Sequence, residues 1–335
     1  MMSLLQKSQK TKKMSEKDLF LGIDTSNYTT SVALCNDSGK VILNLKKLLP
    51  VKAGERGLRQ SDALFAHTKN LPEIMRGLKA FLDSGYRDHR IVAVGCSATP
   101  RDAEGSYMPC FLAGVSAAET VSATVGCEKY SFSHQNGHVM AALYSSGMTS
   151  LIDGEMPFAA FHVSGGTTEL LLVKPNTDSF SIEQIGGSDD MNAGQAVDRT
   201  GVLMGLAFPC GKEMEALCTS VPYKKSRISV KGLKCNLSGL ENLAAKLYAE
   251  TGDKAVTSAF CFDFIADTLT QLSLNLREIY PDIPIVFAGG VMSNKRIAKR
   301  LSMLGNVFFS EPEFSADNAA GTALLTRRAY TSDNE

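Results

Sequence analysis

The fold is first visible in the stretch LFLGIDTSNYTTSVALC, residues 19–35. Two apolar runs flank a polar turn, which is the pattern of two strands joined by a tight connection. A second stretch of the same kind, FAAFHVSGGTTELLLV, follows at residues 158–173. Gly, Ser and Thr in such turns let backbone N–H groups point outward and bind an anion. One such hairpin opening each half of the chain indicates an internal duplication facing a shared cleft.

The segments outside the two hairpins alternate between strand and helix patterns. Strand patterns are at residues 91–95, 129–132 and 285–290, and helix patterns are at residues 62–83, 109–125, 255–280 and 318–330. The helices are recognised by apolar residues at helical spacing and the strands by short apolar runs. Such alternation predicts an α/β fold rather than segregated layers of helix and strand.

The length and charge of the chain bound its organisation. Its 335 residues exceed the length at which a single core stops growing, roughly 250–300 residues, which predicts two lobes. We expect a disordered basic tail at 1–17, an N-terminal lobe at 18–153 and a C-terminal lobe at 154–316, with a last helix at 317–330 that can return to the first lobe. Because 35 basic residues balance 35 acidic ones, no overall field attracts nucleic acid or a membrane.

The eight cysteines are scattered and form no CxxC pair. Most stand in apolar surroundings, and no apolar run approaches the roughly 18 residues that span a bilayer. This pattern favours reduced, buried thiols in a cytoplasmic protein over a disulfide framework or a Cys-based zinc site.

Two histidines are candidate metal ligands. His134 and His138 are four residues apart on a predicted helix, so both imidazoles leave one face and can bind one metal ion. The alternative is two polar residues on an exposed helix face. Metalloproteases of the zincin type place a Glu directly after the first His, and here that residue is Gln135, which disfavours a peptidase.

A third ligand has to come from elsewhere in the chain. His162 ends the strand that enters the second hairpin turn, where it either faces the cleft or is satisfied within a sheet. Asp317 begins the last predicted helix, a position at which an Asp is commonly an N-cap. His67 on an apolar helix stripe and His89 in a polar loop are most simply structural.

Glycine-rich stretches provide candidate nucleotide contacts. Residues 185–199 contain closely spaced glycines followed by Asp198, which can accept hydrogen bonds from ribose hydroxyls or cap a helix. Residues 288–294 form a strand-to-helix turn of the sort that receives an adenosine. Neither GxxxxGK[ST] nor GxGxxG occurs, so a P-loop and a Rossmann dinucleotide site are unsupported.

Taken in order, these segments resemble the glycoprotease/threonylcarbamoyltransferase family, also called TsaD-like or Gcp. The resemblance covers residues 19–330 and rests on a colinear set of motifs: Gly22 to Ser26, His134/His138, Val163 to Gly166, Ala193 to Asp198, Gly232 to Lys234, Ala288 to Asn294 and Asp317 to Ala320. It implies an actin-like duplicated ATPase fold (ASKHA) with two lobes around a nucleotide cleft. It also implies transfer of a threonylcarbamoyl group from its adenylate to N6 of the tRNA adenosine beside the anticodon.

The resemblance assigns candidate roles to individual residues. His134, His138 and Asp317 match the positions that hold iron or zinc, and His162 is a possible further ligand. A His-plus-carboxylate set suits iron or zinc without choosing between them. The positions matched to adenylate binding are Val163, Ser164, Gly165, Gly166, Thr167, Asp198, Gly211, Glu215 and Asn294.

The chain departs from the family pattern at three places. Typical members carry Cys-Asp-Glu-Thr after the Thr-Ser of the first turn, where this chain has residues 27–30 without a carboxylate. Thr167 replaces a His, and residues 99–107 replace a Gly-Pro-Gly loop. Loss of acid/base groups lowers rates by about 10²–10⁴-fold, so the pattern is that of a divergent paralogue.

Several functions follow as alternatives. The first is the tRNA transferase, with phosphate contacts drawn from a basic run: Lys224, Lys225, Arg227, Lys231 and Lys234. The second is a carbamoyltransferase with a smaller acceptor. The third is a non-catalytic nucleotide- and metal-binding partner that assembles with or regulates a related subunit, and the fourth is an actin-fold small-molecule kinase.

Overall fold

The computed structural model describes residues 14–26, 28–50, 58–177, 179–315 and 319–334. Two sequence-based expectations fall on the remaining positions. Most of the predicted basic tail, residues 1–13, and the candidate metal ligand Asp317 lie outside the described residues.

The described residues alternate between strands and helices along the chain. The strands are β1 (Asp18–Asp24), β2 (Thr29–Asn36), β3 (Val41–Leu48), β4 (Arg90–Thr99), β5 (Glu128–Ser133), β6 (Phe158–Val163), β7 (Thr168–Pro175), β8 (Phe180–Ser188), β9 (Ser229–Lys231), β10 (Lys234–Asn236), β11 (Ile285–Ala288) and β12 (Val307–Phe309). The α-helices are α1 (Gln60–Gly85), α2 (Phe111–Val125), α3 (His134–Ser145), α4 (Ala193–Leu203), α5 (Gly211–Leu217), α6 (Ser238–Thr251), α7 (Lys254–Ile279), α8 (Lys295–Leu301) and α9 (Ala320–Asn334). The segments with sequence-based helix or strand patterns fall on elements of the same type, except that the strand pattern at 285–290 runs two residues past the end of β11 and into a 3-10 turn.

The chain divides into two compact units. The first unit comprises Met1–Gly137, Thr177–Ser179 and Asp317–Glu335, and the second comprises His138–Asn176 and Phe180–Ala316. Helix α9 therefore belongs to the first unit. The lobe limits expected from the sequence, 18–153 and 154–316, stay predictions.

Each unit contains one sheet, and the two sheets share a topology. The first has the order β3-β2-β1-β4-β5, and the second has the order β12-β11-β6-β7-β8-β10-β9. In the first sheet β1 is antiparallel to β2 and parallel to β4; in the second β6 is antiparallel to β7 and parallel to β11. Strands β8-β7-β6-β11-β12 thus repeat β3-β2-β1-β4-β5, and the duplication inferred from the two hairpins is confirmed.

Alternation along the central strands sets the cores of the two units. Leu19, Leu21 and Ile23 of β1 face the core of the first unit, and Ala159, Phe161 and Val163 of β6 face that of the second. Side chains between these positions point to the opposite face of the sheet. In the second unit the segment between β8 and β11 is long, and its helix α7 is buried along most of its length.

The cysteines are free and mostly buried, as their apolar sequence context predicted. All eight are free thiols, and every one except the half-buried Cys127 is buried. Burial raises the pKa of Cys35, Cys235 and Cys261 to about 12, because removal from water disfavours the thiolate. Among the described residues, none of the helices combines the length and apolar character needed to cross a membrane.

Candidate functional site

The turn between β6 and β7 is folded around Ser164. The Ser164 hydroxyl accepts hydrogen bonds from the backbone N–H groups of Gly166 (3.2 Å) and Thr167 (3.1 Å). Its own backbone N–H donates to the Thr167 carbonyl at 2.8 Å. The N–H groups of Gly166 and Thr167 are therefore directed into the turn, although the sequence suggested that the N–H groups of this turn point outward. Gly165 and Gly166 remain exposed.

The start of helix α4 packs directly against this turn. The backbone N–H of Gly194 donates to the Ser164 carbonyl at 3.0 Å, and the Asn192 side chain donates to the Gly166 carbonyl at 2.8 Å. A Cβ atom on Gly194 would lie 2.6 Å from the Gly165 nitrogen, so only glycine permits this approach. The Gly-rich turn and the start of helix α4 are therefore packed directly against each other, backbone to backbone.

A cavity of about 620 Å³ opens beside the turn, within the second unit. Its lining includes five of the nine positions that the resemblance linked to the adenylate: Gly165, Asp198, Gly211, Glu215 and Asn294. The remaining four, Val163, Ser164, Gly166 and Thr167, belong to the strand end and the turn that Gly165 occupies. Residues that are far apart in sequence thus converge on one concave surface.

The polar residues of the cavity are held by backbone groups. Asp198 Oδ1 accepts from the N–H of Cys210 at 2.9 Å, which ties α4 to the start of α5. Glu215 Oε1 accepts from the N–H of Lys295 at 2.6 Å, and Asn294 Oδ1 caps α8 by accepting from Ile297 at 3.0 Å. Each carboxylate therefore has a fixed position and a second oxygen with which it can accept a further hydrogen bond.

The turn after β11 requires glycine. Gly289 has a φ of +101°, and a Cβ on it would lie 2.3 Å from the Val163 carbonyl oxygen. The strand that ends in this turn therefore lies tightly against the end of β6. Gly290, the next residue, lines the cavity without a side chain, which leaves its volume open.

The turn between β1 and β2 is more enclosed than the turn in the second unit. Asp24, Thr25 and Ser26 are all fully buried. Asp24 Oδ2 accepts from the Ser26 hydroxyl at 2.6 Å, and Asp24 Oδ1 contacts His134 Nδ1 at 3.2 Å. An ionised carboxylate only accepts hydrogen bonds, so a hydrogen bond between these two atoms uses a proton on His134 Nδ1.

The other candidate histidines lie in the second unit. The rings of His138, on α3, and His162, on β6, have centroids 4.9 Å apart. His162 therefore faces α3 rather than the core that Val163 enters. His67, expected to be structural, is buried with Nδ1 2.9 Å from the Thr30 hydroxyl.

The candidate metal ligands can be compared with known metal chemistry. Among the described residues, no group of three or more His, Cys, Asp or Glu side chains is arranged to hold a metal ion. The sequence-based set also includes Asp317, which is outside those residues. The carboxylate of Asp24 on His134 Nδ1 is the outer-shell partner that metal-binding histidines usually have. The donor chemistry of His134 therefore fits a metal ligand.

Sequence reasoning missed several residues that line the cavity. Pro209, Lys212 and Phe262 contribute to it, and none belongs to one of the motifs singled out in the sequence. Lys212 stands directly after Gly211, so its place beside a candidate contact was the available signal. Phe262 lies within the apolar pattern of α7, where nothing distinguishes a cavity-lining ring from a core ring.

Comparison with known proteins places the chain in a family. The chain is 28% identical over 294 residues to a tRNA N6-adenosine threonylcarbamoyltransferase of Streptococcus pneumoniae (strain Taiwan19F-14), covering 84% of this chain and 82% of that protein. The solved structure of full-length HypF in its phosphate- and nucleotide-bound form matches 95% of this chain and 56% of its own, with 12% identity and a TM-score of 0.56. This likeness and the repeated sheets show the actin-like duplicated ATPase fold. The family model for TsaD, tRNA N6-adenosine threonylcarbamoyltransferase, matches residues 51–324, and the chain therefore belongs to that family.

Proposed function

We propose that this chain transfers a threonylcarbamoyl group from threonylcarbamoyl adenylate to N6 of the tRNA adenosine beside the anticodon. The observation that supports the proposal is the convergence of Gly165, Asp198, Gly211, Glu215 and Asn294 on one cavity of about 620 Å³. A volume of this order suits a ligand of nucleotide size.

The residues of the cavity have distinct roles in this proposal. Asp198 uses Oδ1 to hold the Cys210 N–H, and its other oxygen accepts from a ribose hydroxyl. Glu215 and Asn294 present polar groups at the start of α8 for the rest of the nucleoside. Gly165 and Gly290 leave room for the ligand to approach the backbone.

The proposal includes one divalent metal ion, iron or zinc, held by His134, His138 and Asp317, with His162 as a further candidate. When bound, such an ion supplies Lewis-acid polarisation of the carbamoyl oxygen. In this proposal the Asp24 carboxylate positions His134 by accepting a hydrogen bond from Nδ1–H, and Nε2 is the atom that binds the metal. His134 and His138 are one helical turn apart on α3, a spacing at which two imidazoles can bind one ion.

A second candidate function is a non-catalytic nucleotide- and metal-binding partner of a related subunit. Tyr28 and Thr29 stand where typical members have carboxylates, and Thr167 stands where they have a His. This divergence favours loss of transfer with retention of binding. A small-molecule kinase also fits the fold, but it leaves the paired histidines without a role. For the transferase and for the non-catalytic partner we propose a cytoplasmic location, in keeping with the eight free thiols.

The test is nucleoside mass analysis of unmodified tRNA after incubation with the protein and freshly made threonylcarbamoyl adenylate, with and without candidate partner subunits. We expect threonylcarbamoyladenosine to form. The variant Asp198→Asn keeps an acceptor for the Cys210 N–H but loses the charge, so adenylate affinity falls by about 10- to 100-fold, as for hydrogen bonds to charged groups.

The matched control is Asp189→Asn. Asp189 is paired with Lys234 at 3.0 Å and does not line the cavity, so this variant is expected to bind adenylate like the parent protein. Adenylate binding without any modified nucleoside, under all partner combinations, would replace the transferase proposal with the partner function.

A further inference from the structure

A second cavity lies next to the candidate nucleotide cavity, also within the second unit. It has a volume of about 670 Å³ and is bounded by helices α5, α7 and α8 with the segment that follows α5. Lys212 and Glu215 line both cavities, so the two adjoin. None of the residues assigned above to binding or metal ligation, apart from Glu215, belongs to the second cavity.

The lining of this second cavity carries a net positive charge. Its lining contains five cations against the carboxylates of Glu215 and Asp263; the cations are Lys212, Lys295, Arg296, Lys299 and Arg300. Arg296 is committed to the fold, because its Nε and Nη2 contact the two oxygens of the buried Asp263 at 2.6 and 2.7 Å. Within the described ranges, Lys212, Lys295 and Lys299 form no ion pair and are exposed. These three lysines therefore keep their charge available to an anionic ligand.

An aromatic ring is held in place at the same cavity. Tyr223 donates its hydroxyl proton to Asp267 Oδ1 at 2.7 Å, and the Arg300 guanidinium lies 4.4 Å from the centre of its ring. Desolvation and this hydrogen bond raise the pKa of Tyr223 to about 12, so the hydroxyl stays protonated. Tyr223 as a residue is nevertheless 43% exposed, so an aromatic side chain held in a fixed position is accessible among cations.

We propose that this cationic cavity is an RNA-binding surface, with Lys212, Lys295 and Lys299 contacting backbone phosphates and Tyr223 stacking an unpaired base. This inference rests on the proposed function, because it identifies where the RNA acceptor would contact the chain. Combined lysines and an exposed aromatic ring are the means by which proteins bind single-stranded RNA. An acidic peptide would use the lysines but would leave the aromatic surface without a role.

The position of the cavity adds a second argument. Because it shares Lys212 and Glu215 with the nucleotide cavity, an RNA strand lying in it passes beside a bound adenylate. The neutral net charge of the chain does not oppose this, since contacts with phosphate depend on local cations. The basic run at residues 224–234 that the sequence suggested contributes no residue to this lining.

The test is fluorescence anisotropy with the full-length protein and a labelled RNA hairpin whose single-stranded loop contains adenosine, over a range of salt concentrations. Lys295→Glu and Lys299→Glu are each expected to weaken binding about tenfold. Each is also expected to lower the magnitude of the slope of log affinity against log salt by about 0.7, the value for one phosphate contact to a single strand. Tyr223→Leu is expected to lose about 5- to 100-fold, whereas Tyr223→Phe retains the affinity because it keeps the ring.

The matched control is Lys40→Glu, which makes the same charge change at an exposed lysine in the turn between β2 and β3. Equal RNA affinity in the parent protein, Lys299→Glu and Tyr223→Leu, with intact folding by circular dichroism, overturns the proposal. An equal loss in Lys40→Glu overturns it too, since the effect is then one of net charge. Weaker RNA binding confined to the cavity variants supports the proposed RNA-binding surface, even where the parent protein forms no threonylcarbamoyladenosine. The RNA-binding proposal and the transferase proposal are therefore tested independently.

Discussion

Gly22 in the first unit and His162 in the second occupy matching positions of two strands with the same topology. Each directly precedes a residue that faces its own core, Ile23 or Val163, and so lies on the opposite face of its sheet. The partners on that face differ. A Cβ on Gly22 would lie 2.4 Å from the Ala323 nitrogen of α9, whereas His162 faces His138 of α3 with ring centroids 4.9 Å apart.

The comparison shows how one duplicated scaffold packs in two different ways at the same place. In the first unit the helix backbone itself contacts the strand, and this close packing leaves no room for a functional side chain. In the second unit the strand carries an imidazole at the same place, and the adjoining turn has exposed glycines. The turns differ in the same sense, since Asp24, Thr25 and Ser26 are buried while Gly165 and Gly166 are exposed.

The largest effect on stability is expected at Gly22, where the backbone of α9 touches strand β1. Gly22→Ala places a methyl group 2.4 Å from the Ala323 nitrogen and 2.5 Å from the Ala319 carbonyl oxygen. Neither backbone atom can move as a side chain can, so we expect a loss of about 3 kcal/mol in the free energy of unfolding. Urea unfolding followed by circular dichroism measures it.

Two control variants test whether the backbone clash at Gly22 causes the loss of stability. Gly85→Ala adds the same methyl group at the end of α1, where nothing lies within 4 Å, and is expected to be neutral. His162→Ala in the matching position is expected to cost less than Gly22→Ala, because it removes a half-buried side chain without a backbone clash. Equal destabilisation by Gly22→Ala and Gly85→Ala would contradict the packing argument.

An intermediate effect is expected at Asp24, which links the first turn to His134. Asp24→Asn removes the charge that holds the Nδ1 proton, so affinity for iron or zinc is expected to fall by about 10- to 100-fold. Competition with a chromophoric chelator measures the affinity. Ser26→Ala is the control, since Ser26 contacts the other oxygen of Asp24 and not the His134 ring. Unchanged affinity in Asp24→Asn would show that the carboxylate does not position the ligand.

The smallest effect is expected from the buried thiols. Cys35 of the first unit and Cys235 and Cys261 of the second have a pKa raised from 9.0 to about 12. Above pH 9 the unfolded chain loses these protons while the folded chain keeps them, so stability is full below pH 9 and falls as the pH rises. Each thiol contributes a loss of about 0.4 kcal/mol at pH 9, where half of the unfolded thiols are ionised.

The measurement for the thiols is urea unfolding at pH 7.5 and pH 9. Cys261→Ala should reduce the difference in stability between the two pH values, whereas replacing the half-buried Cys127 should change it less. Because two of the three thiols are in the second unit, Cys235→Ala combined with Cys261→Ala should reduce the difference more than Cys35→Ala. An identical pH dependence in all variants would contradict the assignment to buried thiols.

Much of the fold could be predicted because its signals are local. Apolar runs around 19–35 and 158–173 predicted the two hairpins, and periodicity predicted α1 and α7. Short or partly exposed elements such as β9, β10 and β12 were not predicted. A strand of three residues has too few positions to show alternation, and its pairing partner supplies most of its stability.

The residues of the candidate site could be predicted in part from the sequence, but their contacts with one another could not. Candidate nucleotide contacts such as Asp198, Glu215 and Asn294 were indicated by the family resemblance, without any information about their distances from one another. The bonds from Cys210 to Asp198 and from Lys295 to Glu215 depend on helices that meet only after folding. The cationic cavity was not predicted, because Lys212, Tyr223 and Lys299 come from three separate segments.

The sequence by itself determined the α/β class, the duplication and the family, because hydrophobic periodicity and short motifs are properties of neighbouring residues. Only the tertiary structure decided that Gly22 touches a helix backbone while His162 meets a second imidazole. It alone decided that lysines of α5 and α8 share one cavity with Tyr223. The physical reason is that close packing and local charge depend on which surfaces meet, and the chain pattern carries no record of those distances.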